Sequence, residues 1–260
     1  MMNLATFQPL ISVITVCYNA ESILEATILS VLNQTYPHIE YIVVDGKSKD
    51  NSLAIIKKYE GKISKWTSEP DKGIYDAMTK GQRLASGDFV IFMNAGDRFF
   101  ETQTIEKAVS KIDAQTDAFY GDVMLVDDTR THLALRSEAT VHGLPSKLSW
   151  NSYKMGMIVC HQGIFMRRNL CSDYLENNLS ADIDWSIRAL KNARNVVFTN
   201  LTIAEYLKGG ISKQKHKQSL KDRFSILKTH YGTISAVWNH ILIVFRAILF
   251  KIKRLGKERY

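Results

Sequence analysis

The chain lacks most of the signatures that announce a function. Its three cysteines, Cys17, Cys160 and Cys171, form no Cys-x-x-Cys pair and no even framework. That fits a reducing compartment and argues against structural zinc. No Gly-x-Gly-x-x-Gly follows the first apolar run, no Gly-Lys-Ser/Thr phosphate loop is present, and no Gly-x-Ser-x-Gly elbow appears. A dinucleotide site, a P-loop and an α/β-hydrolase site are thereby set aside. The first ten residues have no basic-then-apolar leader pattern, so a cytoplasmic chain is the expectation. Acids are nearly absent from one end: residues 208–260 carry 13 Lys+Arg against 2 acids, whereas residues 1–207 carry 21 against 24. A uniformly basic nucleic-acid binder would not segregate charge in this way, and no nucleic-acid partner is expected.

What is present is the material of a globular α/β protein. The 260 residues are 45% hydrophobic and 23% charged, ample for a large core. Residues 11–17 are β-branched and alternate, as a first strand does. Residues 22–32 have an apolar face near helical period. Strands are expected at 39–44, 63–67 and 89–93, with helices at 52–59 and 74–85 between them. Strands alternating with helices at this spacing imply a parallel sheet with right-handed crossovers. Beyond residue 97 the rhythm loosens. Residues 102–112 look helical, and 118–126 with 132–137 read as a hairpin around Asp127-Asp128-Thr129-Arg130. Residues 156–167 look strand-like, 182–191 helical, and 195–207 a last strand, with no internal repeat or linker before about residue 212.

The organising stretch is residues 68–97. Its second half is a strand-length apolar run that stops at Asn94-Ala95-Gly96-Asp97. These are turn residues by preference. They are also oxygen ligands, delivered to the carboxyl edge of a sheet, where open α/β folds bind their ligands. Asp45 and Asp71 fall at the ends of two other strands, which would put three carboxylates on one rim. Each could instead cap a loop or helix.

Longer signatures carry a family resemblance: residues 9–19 (PLISVITVCYN), 30–36 (SVLNQTY), 43–50 (VVDGKSKD), 69–78, 87–97, 160–165 (CHQGIF) and 181–185 (ADIDW). Over residues 9–212 the chain resembles the inverting family 2 glycosyltransferases of the GT-A fold, in the branch that builds bacterial surface polysaccharides. The resemblance implies a Rossmann-like, mostly parallel sheet flanked by helices, with a small antiparallel portion and a C-terminal helical tail. It implies a nucleotide-sugar donor, a UDP-sugar, and Mg²⁺ or Mn²⁺. By resemblance Asp97 is the metal-binding acid, and Asn94 stands where many relatives have the first acid of an Asp-x-Asp pattern. Asp45 resembles the residue that holds the base, with Thr15, Tyr18 and Asn19 around it. Asp71 and Lys72 look like donor contacts, and His161-Gln162 a contact to diphosphate or acceptor. Asp182 matches the catalytic base; Asp184, two residues on, cannot share its helix face. Asp182 could instead cap its helix. Residues 208–212 resemble a loop that closes over the diphosphate.

The tail, residues 213–260, reads as a separate amphipathic and basic unit after a domain at 1–212. Residues 234–250 are apolar but interrupted by His240 and Arg246, too short for a confident span. A helix lying on an anionic membrane face fits better. The expectation is therefore a glycosyltransferase, cytoplasmic and peripheral to the inner membrane face, acting on a glycan or polyprenyl-linked saccharide. The alternatives are a silent nucleotide-sugar-binding protein of the same fold, which the neutral Asn94 would suit, and a sugar-nucleotide pyrophosphorylase.

Overall fold

A computed structural model describes residues 7–140, 143–209 and 216–257. Among the described residues nine strands form one sheet, in the order β3-β2-β1-β4-β8-β6-β9-β5, with β7 paired to β6. Its parallel half holds β1 (Ile11–Cys17), β2 (Ile39–Asp45), β3 (Lys65–Ser68) and β4 (Phe89–Phe92). Three helices make the crossovers: α1 (Leu24–Leu32), α2 (Ser52–Lys58) and α3 (Ile74–Leu84). All seven residues of β1 are buried. Successive side chains of a strand point to opposite faces, so Val13 joins one core layer with α1 residues Leu24 and Ile28. Ile14 and Val16 join the other, with Ala77 and Met78 of α3. A strand buried on both faces reads as a continuous apolar run, which is why β1 and β4 were legible.

The chain leaves β1 toward β2 and β3, then returns to lay β4 on the other side of β1. That reversal opens a crevice at the carboxyl ends of β1 and β4, the place where open sheets take ligands. The second half is mixed. Strand β5 (Arg98–Phe99) pairs antiparallel with β9 (Val196–Leu207), and β6 (Ala118–Val126) runs parallel to β9. Strand β7 (His132–Leu135) closes the expected hairpin on β6. Strand β8 (Ile164–Arg167) runs antiparallel to both β4 and β6. Short helix α4 (Thr104–Val109) occupies the middle of the helical stretch expected at 102–112, and α5 (Arg136–Ala139) cuts β7 shorter than expected.

One stretch departs from its reading. Residues 156–167 are strand only from Ile164; a single 3₁₀ turn covers His161–Gly163. The Arg136 guanidinium donates to the carbonyls of Met157 and Ile158 at 2.6 and 3.0 Å, so those acceptors are met by a side chain and not by a neighbouring strand. Helix α6 (Ala181–Asn192) follows, then α7 (His216–Tyr231) and α8 (Thr233–Lys257). Helix α7 is seated on the body: Ile226 and Leu227 are buried in the α3-side core, and Tyr231 stacks on Trp150 at 5.4 Å. The expected loop at 208–212 lies outside the described residues beyond Gly209.

Candidate active site

At the end of β4 the chain turns through Asn94-Ala95-Gly96-Asp97, with the Asp97 amide donating to the Asn94 carbonyl at 2.8 Å. Gly96 has φ +101, a left-handed backbone that disfavours any side chain, and a Cβ there would press Ile23 and Leu207 at 3.2 Å. The turn aims Asn94 and Asp97 into a cleft of about 780 Å³, lined also by His161, Gln162, Asp182, Arg136, Lys208 and Arg223. The Asp97 carboxylate accepts from the Leu207 amide at 3.0 Å and from Gln162 Nε2 at 2.9 Å. Burial outweighs these bonds and pushes its pKa up to about 7. Asn94 Oδ1 is buried without any hydrogen-bond partner, an arrangement costly enough to call for a ligand.

Asp182 enters the same cleft from the first turn of α6. Burial raises its pKa from an ordinary 3.8 to about 6, partly offset by the Ile183 amide at 2.9 Å and by the Tyr75 hydroxyl. Asp184 points elsewhere. It receives Arg188 Nε at 2.6 Å and pairs with His230 of α7 at 2.7 Å. The two acids thus divide as their spacing requires: one faces the cleft, the other ties α6 to α7. His161 is buried against Phe92 and Trp185, its Nε2 is 2.7 Å from the Tyr174 hydroxyl, and its Nδ1 has no partner. Burial lowers its pKa to about 3, so the ring is neutral and Nδ1 is left for a ligand.

The other predicted donor contacts cluster two strands away on the same rim. Asp45, at the end of β2, is buried and accepts from Ser68 Oγ at 2.6 Å and from both the amide and hydroxyl of Ser48. Tyr18 is 56% exposed, and both it and Asp71 lie close to Gly46, where any side chain would collide with the Asp71 carboxylate. Asn19 braces this loop: its Oδ1 accepts the Lys49 amide at 2.9 Å and its amide donates to Ser48 Oγ at 2.8 Å. Lys72 pairs with Glu176 at 3.3 Å on the surface.

Thr15 does not reach the rim. It is fully buried, its hydroxyl donating to the Met93 carbonyl at 2.7 Å, because it sits two residues inside the carboxyl end of β1, on the face shared with Cys17 and turned toward Tyr41. The residue of β1 beside Asp45 is Cys17, with Sγ 3.7 Å from Oδ1. Arg136, Ser219 and Arg223 were missed as cleft residues. Arg223 lies on the tail, where no motif marked it.

Among the described residues no three His, Cys, Asp or Glu side chains gather into a metal cage. Asp97 and the unpartnered Asn94 Oδ1 nonetheless fit a hard cation that arrives with its own ligands. Mg²⁺ sites are commonly one or two protein oxygens completed by substrate phosphates and water.

Residues 12–175 match the family model described as Glycosyl transferase family 2. The chain is 30% identical over 215 residues to a "PGL/p-HBAD biosynthesis glycosyltransferase" of Mycobacterium tuberculosis, covering 78% of this chain and 79% of that protein. It is 27% identical over 246 residues to the "Putative teichuronic acid biosynthesis glycosyltransferase TuaG" of Bacillus subtilis, covering 90% and 94%. Two solved structures share the fold. TarS 1–349 of S. aureus, in complex with UDP-GlcNAc, has a TM-score of 0.67 at 17% identity, covering 92% of this chain and 73% of that one. The mannosyltransferase PcManGT of Pyrobaculum calidifontis, in complex with GDP-Man and Mn²⁺, has a TM-score of 0.62 at 15% identity, covering 96% and 81%.

Proposed function

The chain belongs to glycosyl transferase family 2, and from that premise we propose that it moves a sugar, with inversion, from a UDP-sugar to a hydroxyl of a glycan or polyprenyl-linked saccharide in surface polysaccharide synthesis. The observation that carries this is the single cleft lined by Asn94, Asp97 and Asp182 at the carboxyl ends of the central strands. Asp182 takes the acceptor's proton. Inversion needs one positioned base, and a carboxylate whose pKa has risen to about 6 is a stronger base than an ordinary one yet ionised at neutral pH. Asp45, Asp71 and Tyr18 hold the nucleoside at the outer rim, and His161 Nδ1 with Lys208 meets the diphosphate. Asp97 and Asn94 would hold Mg²⁺ or Mn²⁺. When bound, such a cation offsets the charge growing on the leaving diphosphate.

The membrane part of the reading rests on α8. Ile234, Val237, Trp238, Ile241, Val244, Phe245 and Ile248 recur at helical spacing, and each is between 45% and 89% exposed. Lys251, Lys253, Arg254 and Lys257 follow them. Among the described residues no helix is long and apolar enough to cross a membrane. An amphipathic helix with a basic end lies instead in the surface of an anionic bilayer.

The test is donor-dependent release of nucleoside diphosphate, lost on adding EDTA and in Asp97→Ala, with the product's anomeric configuration read by NMR. Activity indifferent to both changes removes the metal; a retained anomer removes inversion.

A further inference from the structure

The cleft holds two cations that the transfer reading does not use. Arg136 lies at the start of α5, with two of its nitrogens on the Met157 and Ile158 carbonyls. Arg223 comes from α7 and lies alongside Gly156. Its Nε is buried without a hydrogen-bond partner, and burial lowers its pKa below the ordinary 12.5. Among the described residues neither guanidinium has a carboxylate within ion-pairing distance, although both line the cleft with Asp182. A guanidinium withdrawn from water with donors unmet is costly unless an anion completes it.

The position says which substrate brings that anion. Helix α7 packs on the Asp182 side. Asp222 accepts the Leu179 amide at 2.8 Å, and Ser180 Oγ donates to the Ser219 carbonyl at 3.1 Å, so α7 holds the loop that delivers Asp182. Both arginines act electrostatically on Asp182, whereas the cation felt by Asp97 is Arg130. The donor's diphosphate belongs beside Asp97 and Asn94. Asp97 and Asp128 are further acids on the cleft wall, but the carboxylate that acts on Arg223 is Asp182, so two guanidiniums share one carboxylate there.

We propose, resting on the transfer reading above, that Arg223, aided by the charge of Arg136 in the same cleft, holds an oxyanion carried by the acceptor next to the hydroxyl that Asp182 deprotonates. That oxyanion is either a phosphate of a lipid carrier or the carboxylate of a uronic sugar. A planar, forked guanidinium suits both, since it can donate two parallel bonds to paired oxygens.

The experiment uses the full chain with UDP and Mn²⁺ bound and three acceptors ending in one common sugar. These are a short prenyl diphosphate-linked saccharide, an alkyl glycoside containing glucuronic acid, and a neutral alkyl glycoside. Calorimetric titration of wild type should show one anionic compound binding at least about tenfold tighter than the neutral one, and which compound does so identifies the source. Arg223→Gln should weaken that compound about 10- to 100-fold, the range of a lost charge-assisted bond. It should leave the neutral glycoside and UDP within about twofold, while Arg223→Lys recovers part of the loss and reports that the fold survives. Equal loss on charged and neutral acceptors, an anion preference intact in Arg223→Gln, weakened UDP binding, or no anion preference in wild type each overturns the proposal. Failure of wild type to bind UDP or GDP in a separate titration counts against the transferase reading itself.

Discussion

Asp182 and Gly46 give the sharpest predictions at the level of single residues. Asp182→Asn removes the base and should cut transfer about 10²- to 10⁴-fold, measured as kcat with donor affinity retained. The same change should stabilise the protein. An acid whose folded pKa is raised stands in its ionised form at a cost that is present above about pH 6 and fades toward 3.8 as pH falls. Urea unfolding at pH 8 should therefore find Asp182→Asn more stable by up to about 3 kcal/mol, the gain shrinking as pH drops below 6. With saturating metal keeping Asp97 ionised, wild-type transfer should rise with pH to about 6 and then level. Gly46→Ala should displace Asp71 and weaken nucleotide binding by about tenfold, read by titration with UDP, while Gly61→Ala, with open space around it, should not. Much of this cleft was legible because a carboxylate placed where an apolar run ends must lie on the sheet's rim. Asn94 and Asp97 follow that logic, whereas Asp182 opens a helix and was marked only by the family resemblance. Thr15 does not follow it, because it lies two residues short of the end of β1, and a strand buried along its whole length gives no sign in its pattern of where the rim begins.

Among the elements, the parallel strands were readable and the irregular connections were not. The strand-like composition of residues 156–163 says nothing of a distant arginine that claims two of its carbonyls. The sheet's opposite rim has its own organiser. Glu40, at the start of β2, accepts from Ser12 Oγ at 2.6 Å, from the amide and hydroxyl of Ser86 at 2.7 Å, and from Lys65 Nζ at 2.7 Å. It thereby joins β1, β2, β3 and the turn before β4, and its donors hold its pKa down to about 2 against the opposing effect of burial. Glu40→Ala strands those donors and should cost about 2–4 kcal/mol in denaturant unfolding. A group with a depressed pKa contributes its stability above about 4.5, so that penalty should shrink as pH falls toward 2. In α8, the pair Ile241→Glu and Phe245→Glu puts charges on the exposed stripe. It should abolish sedimentation with phosphatidylglycerol vesicles and leave binding of UDP unchanged.

For the whole molecule, the instructive element is α7. Its sequence reads as an amphipathic helix outside the fold, because a local pattern reports an apolar face and never its address. That face is spent on the body's core, while Asp222, Ser219 and His230 bind the segment carrying Asp182 and Asp184. A chain ending at residue 215 should lose those ties and uncover Ile226's and Leu227's site, with low soluble yield and a broadened thermal transition as the measured outcome. Helix α8 follows α7 after Gly232, and its His240 lies 5.0 Å from the Phe224 ring. A lipid sheet gripping α8 would therefore serve as a datum plane for the chemistry, fixing the height at which a hydroxyl can be deprotonated. Lengthening the saccharide between carrier and growing end, one sugar at a time, should give a peaked turnover profile on vesicles and a flat one with detergent-dispersed acceptor.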